Sequence, residues 1–258
     1  MGITVYPAPV PKSPSLEIPA GNVPGKSSVN KFGNNGSLAT SATETIWDGS
    51  NAYTFPTSAS ITDIRQATDQ LDNRGASIEI QGLDTDWALV TQTVALDATN
   101  TTTEVDLTTA LRRVFRMKVL DAEPLDADVW VGATGMSAST ANGIIQTTNN
   151  QTLMAIYTIP AGKTGYMSSY WGTLNKDSGG GNPSVVVKMW EVDNTNGYAP
   201  QLKHIKGLDS GATSEFYHLF APSRKILEKT DVYLNASNLS GTSTADVSAG
   251  FDIILVDN

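Results

Sequence analysis

Short runs of alternating apolar and polar residues recur along most of the chain. Residues 77–81 read SIEIQ, and residues 115–119 read FRMKV. A period of two residues is what a strand shows when one face meets a core and the other meets solvent. Such runs return about every ten to fifteen residues with turn residues between them, a spacing typical of sandwiches. The pattern therefore predicts an all-β protein with a β-sandwich or jelly-roll-like fold.

The segment 150–175 predicts two strands joined by a tight turn. Residues 153–157 read LMAIY, residues 160–165 read PAGKTG, and a second strand is expected from Tyr166 to Trp171. Proline fixes its own φ and glycine accepts a positive φ, so the sequence between the two runs favours a reversal of the chain. We expect a β-hairpin at this position.

The composition divides the chain into an arm and two β blocks. Residues 1–30 hold six of the twelve prolines, and proline favours an extended polyproline conformation without internal hydrogen bonds. We expect an extended arm there, a first β block over residues 31–132 and a second over residues 133–258. The pattern leaves open whether the blocks are separate domains or one interleaved sandwich. Helical character is expected only at residues 62–71.

The arm carries apolar side chains that an extended segment cannot bury on itself. Chain termini of this kind are commonly mobile, whereas an ordered arm needs a surface to lie on, either its own subunit or a neighbour. Proline extends such a segment in advance, so little conformational entropy is lost when it binds. We therefore expect the arm to bind a neighbouring subunit through five residues: Val5, Tyr6, Val10, Leu16 and Ile18.

The charge and composition of the chain disfavour several classes of function. The net charge is −9, so phosphate backbones and anionic lipid are repelled rather than attracted. No window approaches the run of about eighteen apolar residues that a membrane helix needs. The chain has no cysteine, which excludes disulfides and thiolate sites and favours an intracellular or virion protein. We expect neither nucleic acid nor a membrane as a partner.

The few residues that could carry chemistry lack the spacing that chemistry needs. His204 and His218 lie on two predicted strands without a metal-binding or triad pattern around them, and we expect them to face outward. Asp84 and Asp86 flank a turn, and a second group of carboxylates follows the strand that ends at Leu120. Calcium favours loop carboxylates, yet solvated turns explain both groups better. The second group comprises Asp121, Glu123, Asp126 and Asp128.

The five tryptophans leave two interpretations open. They could form a platform on which sugar rings stack, or they could be partly buried in the sandwich cores, which is the commoner position of tryptophan in such folds. We expect core positions, and we expect no catalytic residue, cofactor or metal. The five are Trp47, Trp87, Trp130, Trp171 and Trp190.

Several short segments of the sequence resemble a family of tailed-phage structural proteins. The segments are residues 29–35 (VNKFGNN), 47–49 (WDG), 53–56 (YTFP), 79–84 (EIQGLD), 151–165 (QTLMAIYTIPAGKTG) and 250–257 (GFDIILVD). The resemblance covers residues 29–258 and leaves the proline-rich arm outside it. It implies a component of a virion, and no motif in it carries a transferable catalytic residue.

From this resemblance we expect a non-enzymatic virion protein, and within the virion a decoration, or cement, protein on the capsid surface. Such a protein would clip adjacent subunits of the major capsid protein and form a homotrimer, and many copies together would stabilise the head. One alternative is a tail or head-fibre component that binds a host surface glycan through exposed tryptophan and tyrosine. A second alternative, a polysaccharide-degrading tailspike enzyme, is disfavoured because no solenoid repeat is present.

Overall fold

The structure, a computed structural model, describes residues 13–121 and 123–258. Strands make up 56% of the described residues and helices 3%, which confirms the prediction of an all-β fold. No helix in the described ranges is long and apolar enough to cross a membrane. The described elements are α1 (Pro14–Glu17), a 3-10 turn (Leu71–Asn73), β1 (Lys26–Leu38), β2 (Thr43–Thr45), β3 (Ile61–Gln66), β4 (Ser77–Leu83), β5 (Leu89–Ala95), β6 (Val105–Leu111), β7 (Arg113–Val119), β8 (Val129–Gly132), β9 (Gly143–Ile145), β10 (Ile156–Thr158), β11 (Lys163–Gly179), β12 (Ser184–Asp193), β13 (Gln201–Asp209), β14 (Glu215–Ile226), β15 (Thr230–Asn238) and β16 (Ser243–Asp257).

These strands form four antiparallel sheets. Sheet A has the order β1-β16-β11-β14, and sheet B has the order β10-β15-β12-β13 with β2 beside β15. Sheet C has the order β6-β3-β8-β9, and sheet D has the order β5-β4-β7. Sheets A and B share one apolar core and form the large sandwich. Sheets C and D share a second core and form the small sandwich.

Strand β16 shows how the alternating sequence builds the large sandwich. Val247, Phe251 and Ile253 are at most 1% exposed and lie in its core, whereas Asp246 and Asp252 are only partly buried on the other face. Each large apolar side chain that is buried contributes about 1.5–3 kcal/mol. Because a shift of one residue would exchange the two faces, this pattern also fixes the register of sheet A.

Strand pairing divides the chain differently from the two predicted blocks. β1 and β2 precede residue 46 but pair with β16 and β15 of the large sandwich. β9 lies beyond residue 132 but pairs with β8 of the small sandwich. β1 also begins at Lys26, inside the predicted arm. The alternation along a strand identifies its two faces and not its partner strand, so the sequence pattern could not place these boundaries.

The expectation of a helix at residues 62–71 is wrong, because β3 covers the first part of this segment and a 3-10 turn begins at its end. Ile61 and Ile64 are three residues apart, which resembles the apolar spacing of a helix. The register of β3 against β6 shifts between Ile61 and Asp63, and both isoleucines are fully buried. An irregular strand thus acquires the apolar spacing of a helix.

The turn expected at residues 160–165 is present, but it does not close a hairpin. The N–H of Lys163 donates to the carbonyl of Pro160 at 3.3 Å, and Gly162 has a φ of 72°. The strand before the turn, β10, lies in sheet B, and the strand after it, β11, lies in sheet A. The local sequence specifies the turn, whereas the change of sheet depends on distant strands.

A buried ion pair joins the two sandwiches. The guanidinium of Arg113 on β7 donates from Nε and Nη2 to the two carboxylate oxygens of Asp231 on β15, at 2.8 and 2.9 Å. Both side chains are at most 3% exposed. Thr158 and Asn194 donate to the same carboxylate. These hydrogen bonds replace the hydration that the buried carboxylate has lost.

Candidate functional site

The first described residues lie against their own subunit. Ile18 is only 6% exposed, and it lines a groove of about 450 Å³ together with Val29, Tyr217 and Ile253 of sheet A. This corrects the expectation that Ile18 is free for a neighbouring subunit, because α1 brings the segment back onto the sheet. Leu16, on the same helix, is 70% exposed. The other expected arm contacts lie outside the described residues: Val5, Tyr6 and Val10.

Sheet A exposes a row of three aromatic side chains. The register of β1 places Phe32 beside Gly250 of β16. Trp171 of β11 lies on the other side of Gly250, and Tyr217 of β14 lies beside Trp171. Phe32 is 37% and Tyr217 is 63% exposed. We call Phe32, Gly250, Trp171 and Tyr217 the aromatic row.

Gly250 allows the indole of Trp171 to lie close to the sheet. A Cβ atom at position 250 would lie 2.8 Å from Cζ2 of Trp171 and 2.5 Å from the carbonyl oxygen of Lys31. Any residue with a side chain would therefore displace the indole. The ring covers the Gly250 backbone and remains partly exposed, so it forms a flat shelf on the surface of sheet A.

Polar side chains border the aromatic row on both sides. On one side, Nδ2 of Asn30 donates to Asp252 at 2.7 Å, and the Ser169 hydroxyl donates to the other oxygen of that carboxylate at 2.7 Å. On the other side, Nδ2 of Asn34 donates to Asp246 at 2.6 Å. Because these groups are paired with one another, the margins are held in place and the row forms an apolar strip between them.

The first half of the free edge of β14 lacks residues that commonly protect an edge strand, whereas its second half contains Pro222 and Lys225. β14 is an end strand of sheet A, so one set of its backbone N–H and C=O groups points away from the sheet. Lysine and proline are common protectors of such edges, and the edge strand of sheet B carries Lys203 and Lys206. Residues 215–220 of β14 read EFYHLF and contain neither. Tyr217 and Leu219 are 63% and 62% exposed there; we call residues 215–220 the β14 edge.

The two histidines face each other between sheets A and B, so the expectation that they face outward is wrong. The ring centroids of His204 on β13 and His218 on β14 are 4.3 Å apart. Nδ1 of His204 shares a hydrogen bond of 2.5 Å with the hydroxyl of Tyr170. Partial burial lowers the pKa of His204, and the neighbouring His218 and Lys206 act in the same direction. The folded state therefore favours the neutral imidazole.

Acid is expected to destabilise the protein through His204. Its pKa in the folded state lies below the unfolded value of about 6.5, so the unfolded state binds the proton first. The stabilising contribution is complete above a pH of about 6.5 and is lost as the pH falls towards the folded pKa. Between about pH 8 and pH 5, the free energy of unfolding measured in urea should fall more steeply in the wild type than in His204→Phe.

The difference between the stability profiles of the wild type and His204→Phe isolates the effect of His204 from that of other groups that titrate in the same pH range. Burial raises the pKa of Asp48 to about 7, so this carboxyl favours the folded state as the pH falls from 7 towards its unfolded value of about 4. That opposite contribution is common to both proteins and cancels in the difference. Parallel profiles for the wild type and His204→Phe would contradict the role given to the histidine.

The acidic groups singled out from the sequence lie in the irregular segments between strands. Oδ1 of Asp84 accepts the N–H groups of Asp86 and Ala88, and Oδ1 of Asp128 accepts the N–H of Thr147. In the part of the chain that the structure describes, no three His, Asp or Glu side chains are placed to hold a metal ion together. Asp84 thus stabilises its own turn through local hydrogen bonds, whereas Asp128 connects two segments that lie nineteen residues apart in the sequence.

The tryptophans divide between core and surface. Trp47 is 2% exposed and belongs to a small third core, as expected. Trp87 packs against the guanidinium groups of Arg112 and Arg113, at 4.8 and 5.0 Å from the ring. Trp171 follows a fully buried tyrosine on β11 and therefore faces outward. Because Tyr170 and Trp171 are both aromatic, the sequence pattern could not show which of the two faces outward.

Comparisons with known proteins do not assign the chain to a family. No protein-family model matches it, and no curated protein matches it. Among solved structures, one of infectious bursal disease virus, Gt strain, aligns with 90% of this chain and 71% of that chain, at 10% sequence identity and a TM-score of 0.20. At that TM-score the likeness carries no argument about function, which depends on the surfaces described above.

Proposed function

We propose that this chain is a non-enzymatic structural protein of a tailed-phage virion. In this proposal it decorates the capsid surface and binds the major capsid protein through the β14 edge. The observation that carries the proposal is the unprotected edge itself, on which Tyr217 and Leu219 are more than half exposed. Proteins rarely leave such an edge uncovered, so we infer a protein partner that covers it.

Strand addition would give the β14 edge both affinity and specificity. An extended segment of a coat subunit can hydrogen-bond to the free backbone groups of residues 215–220. Full burial of the Leu219 side chain would contribute up to about 1.5–3 kcal/mol at each contact. A decoration protein repeated over the capsid makes many such contacts at once, and this multivalency stabilises the shell far beyond one contact.

The exposed Leu16 offers a second contact for a coat subunit. It lies on α1 and is 70% exposed, and we propose that the preceding arm residues Val5, Tyr6 and Val10 extend this contact to a neighbouring subunit. With a net charge of −9, the chain is proposed to bind protein rather than nucleic acid or an anionic membrane. The homotrimer expected from the sequence stays a prediction.

The number of copies per particle distinguishes a decoration protein from a tail or head-fibre component. Purified virions are expected to carry on the order of hundreds of copies, because a lattice protein repeats with the capsid subunits. Quantitative mass spectrometry with isotope-labelled peptides measures this number, with the major capsid protein as the internal standard. A handful of copies would place the chain in the tail or a fibre, and its absence from virions would contradict the proposal.

A further inference from the structure

We propose that the aromatic row is a binding site for an uncharged saccharide, with one sugar ring seated between Trp171 and Tyr217. The row uses ring faces on the surface of sheet A, whereas the β14 edge uses backbone groups beside that surface. Tyr217 belongs to both, and Glu215 and Phe216 of the β14 edge also line the pocket beside it. The saccharide proposal rests on the outer face of sheet A and does not depend on where in a virion the chain is located.

A shallow pocket is present at the end of the aromatic row that is formed by Trp171 and Tyr217. Its volume is about 370 Å³, and its lining comprises Trp171, Thr173, Glu215, Phe216 and Tyr217. This volume lies within the range of small-ligand sites in proteins. The pocket thus combines aromatic surfaces with a hydroxyl and a carboxylate, which suits a ligand that has both an apolar face and a polar rim.

The apolar face of a pyranose complements the exposed face of Trp171. The C–H bonds of the sugar carry partial positive charge, and the face of an aromatic ring carries partial negative charge. Because the indole lies against Gly250, it is ordered before the ligand arrives, which lowers the entropy lost on binding. Phe32 lies beyond Gly250 and is 37% exposed, so it extends the platform towards a second sugar unit.

Polar atoms beside the pocket are available to sugar hydroxyls. Within residues 13–121 and 123–258, no hydrogen-bond partner is found for the indole N–H of Trp171, the hydroxyl of Tyr217 or the carboxylate of Glu215. A sugar hydroxyl both donates and accepts. Sugar hydroxyls can donate to Glu215 and accept from the Tyr217 hydroxyl while the ring stacks, and such pairing favours a polyol over a purely apolar molecule.

The charges around the aromatic row select against an anionic ligand. On the exposed face of sheet A, the neighbours on the two sides of the row include Asp252 and Glu215 and, among the described residues, no lysine or arginine. Lys31, next to Phe32, is buried on the opposite face. The whole chain carries a net charge of −9. A polymer that bears carboxylates, sulfates or phosphates would be repelled here, so we infer neutral hexose units.

The N-terminal residues of the chain are the competing occupant of the aromatic row. The described chain begins at Ser13, and Pro14 and Ser15 line the groove that also contains Tyr217. Proline-rich segments dock on aromatic surfaces in other proteins, and residues 1–12 contain three prolines. A deletion of residues 2–12 separates these two occupants.

Titration with uncharged oligosaccharides tests the site. Oligomers of glucose, mannose and galactose are titrated into the full-length protein, with indole fluorescence and calorimetry as the readouts. At least one of them is expected to bind, Trp171→Ala should weaken it by about tenfold, and Trp171→Phe should retain part of the affinity. Trp190→Ala is the matched control, because Trp190 lies in sheet B, stacked on Tyr233, and its loss should leave the affinity unchanged.

Three results would overturn the proposal. The first is that none of the three oligomers binds, and the second is that binding is unchanged in Trp171→Ala. The third is that deletion of residues 2–12 shifts the indole fluorescence while neither the full-length protein nor the deletion variant binds a saccharide. The last result would make the arm the occupant.

Leu219→Lys should leave saccharide binding intact, and Trp171→Ala should leave capsid binding intact. Failure of the saccharide site is therefore distinguishable from failure of the coat-binding proposal.

Discussion

Alanine in place of Asp231 is expected to lower the free energy of unfolding by about 3–5 kcal/mol, a large fraction of the stability of a typical domain. The substitution leaves the guanidinium of Arg113 buried without its counter-charge. It also removes the acceptor of the hydrogen bonds donated by Thr158 and Asn194. Urea denaturation at neutral pH measures the loss. Since the pair joins β7 to β15, the loss weakens the junction between the two sandwiches.

Two further variants separate the cost of an unpaired charge from the net contribution of the pair. Arg113→Met combined with Asp231→Leu removes both charges and should be more stable than Asp231→Ala alone, because the new apolar side chain at position 113 meets Phe55 and Trp87. Lys163→Met breaks a partly exposed ion pair between Lys163 of β11 and Asp257 of β16 and should cost no more than about 1 kcal/mol. Equal losses in Asp231→Ala and Lys163→Met would contradict the structural role of the buried pair.

The alternation of apolar and polar residues predicted the strands well. On β1, however, the alternation assigns the wrong face to the core, because a lysine is buried there. Lys31 is 7% exposed, and its Nζ donates to the carbonyl of Phe115 on β7. Burial, with Arg116 nearby, lowers the pKa of Lys31 to about 7. Phe32 consequently faces solvent. A carbonyl from a distant strand determines this arrangement, so the local pattern could not show that Phe32 belongs to the aromatic row.

Two glycines, Gly33 and Gly250, have a physical role that the sequence alone did not show. A Cβ atom at Gly33 would lie 2.3 Å from the backbone nitrogen of Ala155 and 2.3 Å from the carbonyl oxygen of Ile46. Gly250 lies under the indole of Trp171 in the same way. Both positions need glycine because other parts of the chain approach closely. For Gly33 the partner Ala155 is more than a hundred residues away along the chain, and for Gly250 the partners lie on strands paired with β16 in sheet A.

Lysine in place of Leu219 is expected to abolish most of the binding to capsids while the fold persists. Leu219 is 62% exposed, so the new ammonium group is hydrated in the free protein, but it would lose that hydration without a counter-charge on a covered edge. Lysine on an edge strand is also a residue that opposes strand addition in natural proteins. We expect binding weaker by about 100-fold, which corresponds to about 2.7 kcal/mol.

The most direct test of the coat-binding account adds purified protein to capsids that lack it and counts the copies bound per capsid. The wild type and Leu71→Lys, in which a leucine of the small sandwich that is 72% exposed is changed, are expected to reach the same saturating number. Leu219→Lys is expected to leave the capsids nearly bare at the same protein concentration, with an unchanged melting temperature. Saturation of the capsids by Leu219→Lys at wild-type affinity would contradict the claim that the β14 edge holds this protein on a virion.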